Sequence, residues 1–251
     1  TDETDNTWDL RHLVTLYGAQ KMFMVGEVHG SNEIGIVSSV ILDALGSKKL
    51  VNVLGYEFPN DFEPYMQGYV DGENVPDIEQ YIKEMAPNMF AAILTEKARE
   101  LTKKGHAITV AAVDIPAYPE SPYADIVALA SKLTSQKNTV LATLPNVQTP
   151  PQSADFAQVN AYFDQFVSHK TQICTELSAD DCDALNAKVH AFWAATLAYD
   201  ESEAQSELWF ERREEAIYFN MHNKMRAPGD RMFLHMGAFH TNKGAASAGS
   251  R

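Results

Sequence analysis

An acid and a base stand close together at the end of the first apolar run of the sequence. Residues 22–30 read Met-Phe-Met-Val-Gly-Glu-Val-His-Gly, which is typical of a buried strand followed by a tight turn that glycines allow. Side chains two residues apart in an extended chain leave the same face, so the carboxylate of Glu27 and the imidazole of His29 can act on one substrate atom. A surface loop is the alternative for this pair. The remaining strand ends decide between the two.

Two later apolar runs also end in a carboxylate. Residues 50–56 lead to Glu57, and residues 107–113 lead to Asp114. In open α/β sheets, ligands bind outside the carboxyl ends of the strands. Three apolar runs that end in acids therefore predict one reactive site at the carboxyl edge of a sheet.

Apolar runs alternate with helical patterns along the chain, which predicts an α/β fold. We expect strands near residues 21–26, 50–57, 108–114 and 231–236. The alternation predicts that these strands form one central, mainly parallel sheet with helices on both faces.

The length of the chain favours a single domain, because 251 residues with 45% hydrophobic content can bury a full core. We predict one α/β domain over residues 1–243, with helical insertions at about 60–105 and 150–225. Residues 244–251 read Gly-Ala-Ala-Ser-Ala-Gly-Ser-Arg, a composition typical of a flexible tail.

The charge balance restricts the class of partner. A net charge of −14 argues against nucleic acid or an anionic membrane, because binding phosphate groups requires a basic surface. No apolar run approaches the roughly 18 residues of a membrane span. Residues 1–6 are polar and acidic, unlike a signal peptide, so we expect any such peptide to have been removed. We expect the partner to be a small-molecule or peptide substrate.

The two cysteines, Cys174 and Cys182, flank a short polar stretch. Their closeness in sequence favours a disulfide bond and an oxidising compartment, which predicts export to the periplasm or beyond. Two free thiols in a cytosolic protein are the alternative. A structural zinc ion is not expected, because no second pair of Cys or His stands at ligand spacing.

Four motifs in order along the chain resemble the erythromycin esterase/TIKI/ChaN superfamily. They are Gly-Glu-x-His at residues 26–29, a second strand ending in Glu57, Arg-Glu-Glu-Ala-Ile-Tyr-Phe-Asn at residues 213–220, and Gly-Ala-Phe-His at residues 237–240. The superfamily includes macrolide esterases, TIKI metallopeptidases, ChaN-type haem-binding lipoproteins and Ras/Rap1-specific peptidase domains of bacterial toxins. The resemblance covers most of the chain and implies an α/β sheet with Glu and His at the strand ends.

Carried over residue by residue, the resemblance implies a catalytic group of Glu27, His29, Glu57 and His240, with Arg213 on a supporting helix. Asp114 fits the pattern less closely. The Gly-Glu-x-His spacing is closer to the ChaN and toxin-peptidase branches than to the macrolide esterases, whose motif resembles Gly-Glu-x-x-His.

Such a group is suited to activating water, because a carboxylate beside an imidazole can orient it or take a proton itself. The nucleophile-elbow pattern Gly-x-Ser-x-Gly is absent, so water is the expected nucleophile in hydrolysis of an ester or amide. Arg213 can pair with a carboxylate or stabilise an oxyanion. An arginine in a solvated run of charges is the alternative for this residue.

The remaining histidines are interpreted as less central. His235 lies inside the last apolar run and is expected to be a core or near-site histidine, whereas His240 follows that run and can reach the site. The others are expected to be structural or exposed; they are His12, His106, His169, His190 and His222.

Two other functions remain open at this point. The protein can be a ChaN-like binder of haem or iron without turnover, because His and Glu also serve as iron ligands. It can also be a degenerate interaction domain. The cofactor is accordingly undetermined between none, a divalent metal ion and haem iron.

Overall fold

The structure is a computed structural model that describes residues 10–18, 20–27, 32–85, 89–200 and 206–237. Two of the predicted catalytic residues, His29 and His240, lie outside the described residues. The predicted tail at 244–251 lies outside them as well.

The described strands form one sheet, as the sequence predicts. They are β1 (Met22–Glu27), β2 (Val53–Pro59), β3 (Thr109–Asp114) and β4 (Met232–Gly237). The sheet is parallel with the order β1-β4-β2-β3, and helices flank it. The predicted α/β class is therefore confirmed.

The last strand lies between the first two, which places the first and last described strands side by side. In the β1–β4 pair, Met22 lies opposite Met232 and Glu27 lies opposite Gly237. Every residue of β4 is buried, as expected for a strand covered on both faces. The carboxyl end of β4 thus lies directly beside the acid that ends β1.

Helices supply the connections between these strands within the described residues. Their bounds are α1 Arg11–Tyr17, α2 Asn32–Gly46, α3 Glu63–Asp71, α4 Pro76–Met85, α5 Phe90–Lys103, α6 Tyr123–Ala130, α7 Lys137–Leu141, α8 Ser153–Thr175, α9 Ala179–Leu197 and α10 Glu207–Lys224. A short 3-10 turn at Asn60–Phe62 precedes α3.

The chain divides into two compact units. The first unit takes in the described parts of residues 1–58, 62–112 and 223–251, and the second takes in 59–61 and the described parts of 113–222. Nothing in this division tests the single domain with insertions that the sequence predicts, which stays a prediction.

The core of the first unit is built from apolar faces of its helices and strands. On α2, Leu42 and Leu45 are fully buried, and on α5 Leu94 and Leu101 are fully buried, in one cluster with Leu54 of β2. Burial of each such side chain stabilises the fold by about 1.5–3 kcal/mol relative to exposure. This packing fixes the strands whose ends carry the acids.

Polar side chains of α3 cover backbone groups of the β3 segment in the first unit. Gln67 accepts a hydrogen bond from the N–H of Val110 at 2.6 Å, and Glu63 accepts one from the N–H of Ala112 at 3.1 Å. Unpaired groups at a sheet edge invite pairing with other chains. These side chains therefore stabilise β3 as an edge strand of the sheet.

The core of the second unit is aromatic. Phe163, Phe166, Phe192 and Trp193 are buried together on α8 and α9. At the end of this helical hairpin, Cys174 and Cys182 form the predicted disulfide bond. Export of the protein, which such a bridge favours, stays a prediction.

Candidate functional site

Glu27 ends β1 as a buried carboxylate. The residue is 4% exposed, although it follows a strand whose other residues are half-buried or exposed. Its Oε2 atom lies 3.0 Å from Nε2 of His235. A buried acid needs hydrogen-bonding partners to offset the loss of water, and His235 of β4 is one of those partners.

His235 is the most enclosed polar residue at this edge of the sheet. It has no exposed surface, and its ring stacks on Phe90 of α5 with the centroids 4.5 Å apart. Its Nδ1 atom lies 2.9 Å from the hydroxyl oxygen of Ser38 on α2, which is also fully buried. Both ring nitrogens of His235 therefore have partners.

Glu57 near the end of β2 contacts the same exit of β4 from the other side. Its Oε2 atom accepts a hydrogen bond of 2.7 Å from the backbone N–H of Gly237, and Gly237 is also the residue paired with Glu27. Glu27 and Glu57 thus flank one residue, Gly237. Two of the three predicted strand-end acids therefore lie beside the same residue of β4 in the first unit.

The structure does not test the two histidines predicted to complete this group. His29 follows Glu27 by two residues, and His240 follows Gly237 by three residues. Both lie outside the described residues, so their place in the site remains a prediction.

The third strand-end acid, Asp114, forms an ion pair in the second unit. Arg213 of α10 donates two hydrogen bonds to it, from Nε to Oδ1 at 2.8 Å and from Nη2 to Oδ2 at 2.7 Å. The two side chains are 12% and 15% exposed. This bidentate geometry is the strongest and most directional arrangement for a guanidinium and a carboxylate.

Asn220, the last residue of the motif at residues 213–220, binds the backbone at the end of β3. Its side-chain amide donates to the carbonyl oxygens of Val113 at 3.0 Å and of Asp114 at 3.3 Å. Arg213 and Asn220 lie two turns apart on α10 and hold the end of β3 by its side chain and its backbone. Arg213 is therefore an ion-pair partner rather than part of a solvated run of charges.

The other histidines match the expectation of structural or exposed positions. His12 and His222 are exposed, while His106 and His169 are half-buried. His190 is 5% exposed in the second unit and packs edge-on against Phe163. Burial, followed by the charges of Lys170 and Arg212, lowers the pKa of His190 to about 4.

The described residues contain neither a metal-binding cluster nor a membrane-spanning helix. No group of three or more His, Cys, Asp or Glu side chains there is arranged to hold a metal ion. Along the same residues, no helix has the length and apolar character needed to cross a membrane.

Two solved structures share the fold of this chain. No family model and no curated protein sequence matches the chain. Among solved structures, a mutant of the erythromycin esterase EreC in its open conformation matches with a TM-score of 0.61 and 13% identity. The chain has the erythromycin esterase fold. A Bacillus cereus protein matches with a TM-score of 0.56 and 15% identity.

Both matches extend over nearly all of this chain but not over all of the other. They cover 92% and 91% of this chain, and 64% of the esterase and 60% of the Bacillus cereus protein. The chain therefore spans under two-thirds of either length. At these identities the erythromycin esterase fold is what the two proteins share with this chain.

The sequence does not predict that His235 hydrogen-bonds Glu27 at this site. A histidine inside a strand that is otherwise apolar was interpreted as core or near-site, and its partner was not identified. One signal was available: an imidazole buried on both sides requires hydrogen-bonding partners, and the neighbouring strand end offered a carboxylate.

Proposed function

We propose that the chain is a hydrolase that activates water with a Glu/His cluster at the carboxyl ends of β1, β2 and β4. The bond it cleaves is an ester or an amide. One observation carries the proposal: Glu27 and Glu57, from two different strands, both lie beside Gly237, since Glu27 pairs with it in the sheet and the Glu57 carboxylate accepts a hydrogen bond from its N–H. Acids from two strands that end beside the same residue are placed to act on one substrate, because ligands of such sheets bind outside the carboxyl ends of the strands.

Chain connectivity supports adding His29 and His240 to this cluster. Two or three residues span at most about 11 Å even when fully extended. His29 is thereby tied to Glu27, and His240 is tied to Gly237. Both imidazoles can take or return a proton near neutral pH, which complements the two carboxylates.

The proposed reaction begins with removal of a proton from water by a carboxylate or imidazole of the cluster. The resulting hydroxide attacks the carbonyl carbon and forms a tetrahedral intermediate with a negatively charged oxygen. Collapse of this intermediate breaks the bond to the alcohol or amine. The proton held by the cluster then passes to that leaving group, so the cluster returns to its starting state.

We assign Arg213 a supporting role in this account. It orients the Asp114 carboxylate through the bidentate ion pair, and Asn220 holds the adjoining backbone. A guanidinium with two hydrogen bonds to one carboxylate has little freedom to reorient. Arg213 thus fixes the position of the Asp114 carboxylate at the end of β3.

Ester hydrolysis is the reaction to test first, because the esterase that shares the fold is an erythromycin esterase. The sequence spacing of residues 26–29 resembles the toxin-peptidase and ChaN branches more closely, so peptides belong in the same panel. A macrolide lactone, simple p-nitrophenyl esters and short peptides cover these classes.

The test is a hydrolysis assay on that panel with single variants of the cluster. Glu27→Gln and Glu57→Gln keep side-chain size and remove the negative charge. Loss of a general base typically lowers the rate about 10²- to 10⁴-fold, with circular dichroism and melting unchanged. Comparable turnover in wild type and both variants would contradict the assignment.

The alternative of haem or iron binding is an outcome of the same experiment. Wild-type protein without turnover on the panel, together with a Soret band on addition of haem that His240→Ala abolishes, would replace the hydrolase proposal by a binding function. Turnover with no haem-dependent spectrum would support hydrolysis.

A further inference from the structure

The buried imidazole of His235 connects the strand-end acid to the interior of the first unit. Its Nε2 atom is 3.0 Å from Oε2 of Glu27, and its Nδ1 atom is 2.9 Å from the hydroxyl of Ser38. Phe90 packs against the face of the ring. These contacts leave the imidazole one orientation.

The two partners also determine which ring nitrogen carries the proton. An ionised carboxylate can only accept hydrogen bonds, so Nε2 of His235 must donate to Glu27. Nδ1 of the neutral ring is then an acceptor. The hydroxyl of Ser38 can donate to it, because that hydrogen rotates freely about the C–O bond.

We propose that His235 is a positioning residue for Glu27. Through its Nε2–H it holds the carboxylate in one orientation at the buried strand end, while Ser38 fixes the tautomer. This inference rests on the proposed function, in which Glu27 belongs to the group that takes a proton from water. His235 does not contact the substrate, because it has no exposed surface.

A purely structural role does not explain the choice of residue. The strand β4 is buried throughout and otherwise apolar, and an apolar side chain would fill this position without two hydrogen bonds to satisfy. Loss of the Nε2–H would remove one hydrogen bond from a carboxylate that is 4% exposed, and a buried polar group that loses a partner costs free energy. His235 therefore serves the acid rather than the packing of the strand.

Two isosteric variants separate the two nitrogens. The amide nitrogen of His235→Gln can reach the position of Nε2 and donate to Glu27. The amide of His235→Asn can reach only the position of Nδ1, next to Ser38. A control variant, Tyr56→Phe, removes another buried hydroxyl of the first unit, which lies 3.0 Å from the hydroxyl of Thr95.

Steady-state kinetics on a p-nitrophenyl ester or the active member of the panel gives the functional result. We expect kcat of His235→Asn to fall about 10- to 100-fold, the usual cost of removing a group that orients a reacting residue, with KM nearly unchanged. His235→Gln should retain most of kcat. Tyr56→Phe should keep the wild-type kcat at a similar or lower melting temperature.

An equal loss in the Gln and Asn variants, or wild-type kcat in His235→Asn, would overturn the inference. Melting temperatures of all variants are compared, so that a rate loss caused by unfolding is distinguished from loss of the contact.

Nitrogen NMR of histidine-labelled protein tests the contact without a substrate. The resonances of His235 are assigned by their loss in His235→Gln. We expect Nε2 to be protonated and Nδ1 to be an acceptor. If that tautomer is found in a protein with no turnover, the hydrolase proposal fails and the positioning contact stands. A ring protonated only at Nδ1 would overturn the inference even in an active enzyme.

Discussion

Strand-end acids have different partners in the two compact units. In the first unit, Glu27 lies against an imidazole and Glu57 against a backbone N–H. In the second unit, Asp114 is held by two of the three nitrogens of a guanidinium. Imidazole can exchange protons near neutral pH, whereas arginine keeps its charge at every accessible pH.

This difference in partners suggests that the acids of the first unit serve catalysis and that Asp114 in the second unit serves stability. An acid hydrogen-bonded to a neutral group is suited to catalysis, and an acid locked by a permanent cation is suited to holding a strand end. We therefore expect changes in the first unit's cluster to alter rates at nearly constant stability. Changes to the constraints of the second unit should chiefly alter the free energy of unfolding.

The largest effect on stability is expected from Arg213→Met. This change leaves the partly buried Asp114 carboxylate without its main cation, and breaking a buried ion pair costs about 3–5 kcal/mol. We expect the lower end of that range, because both side chains retain some exposure. Urea unfolding followed by circular dichroism measures it.

Two controls make the result on Arg213 specific. Arg213→Lys keeps the charge but loses the two-pronged geometry, so it should fall between wild type and Arg213→Met. Adding Asp114→Leu to Arg213→Met should recover part of the loss, because the unpaired charge is gone. A double variant less stable than Arg213→Met would contradict the ion-pair account.

The disulfide bond of the second unit is expected to have the next largest effect. Cys174→Ser combined with Cys182→Ser opens a loop with a sequence separation of 8 residues. The lost constraint on the unfolded chain should lower the free energy of unfolding by about 2–3 kcal/mol. Guanidinium unfolding of this variant and of wild type with and without a reducing agent gives the comparison.

Hydrolysis by the folded disulfide variant should match that of the wild type. A large loss of rate at a temperature where the variant is fully folded would contradict the assignment of catalysis to the first unit and of stability to the second. Reduced wild type and the double variant should unfold at the same denaturant concentration, since both lack only the bridge.

The smallest effect is the pH dependence arising from His190. Because burial lowers its pKa to about 4 in the folded state, while the unfolded value is about 6.5, the unfolded chain binds the extra proton. The stabilisation is present above about pH 6.5 and is lost as the pH falls toward 4. We expect a loss of about 1–2 kcal/mol between pH 7 and pH 5.

A matched variant isolates this contribution. His190→Leu cannot titrate, so its free energy of unfolding should decrease less than that of wild type over the same interval. The carboxylate of Glu215 lies 2.8 Å from Nδ1 of His190 and opposes this shift, but its side chain is 57% exposed, so solvent and salt screen its charge. Parallel pH profiles of the two proteins would show that His190 does not contribute.

The strands and the acids at their ends were predictable from the sequence, whereas the order of the strands in the sheet was not. An apolar run ending in a carboxylate identified Glu27, Glu57 and Asp114, because burial imposes that pattern along the chain. Nothing in the pattern specifies which strand lies beside which. The position of β4 between β1 and β2 therefore emerged only from the fold.

The partners of the acids were predictable to different degrees. Arg213 and Asn220 stand seven residues apart, a spacing that places both on one helix face, so their shared target was foreseeable. The contact of His235 with Ser38 joins a strand to a distant helix, and sequence spacing carries no information on it. The contact of Glu57 with Gly237 is of the same kind.

The most direct test of the central claim is a double-variant cycle on kcat/KM with Glu27→Gln and Glu57→Gln. If the carboxylates of Glu27 and Glu57 serve one reaction, each single change should cost about 10²- to 10⁴-fold. The double variant should then be little worse than the poorer single variant, because groups that act as a unit are strongly non-additive. Losses that multiply in full, or single variants close to wild type, would contradict the shared site.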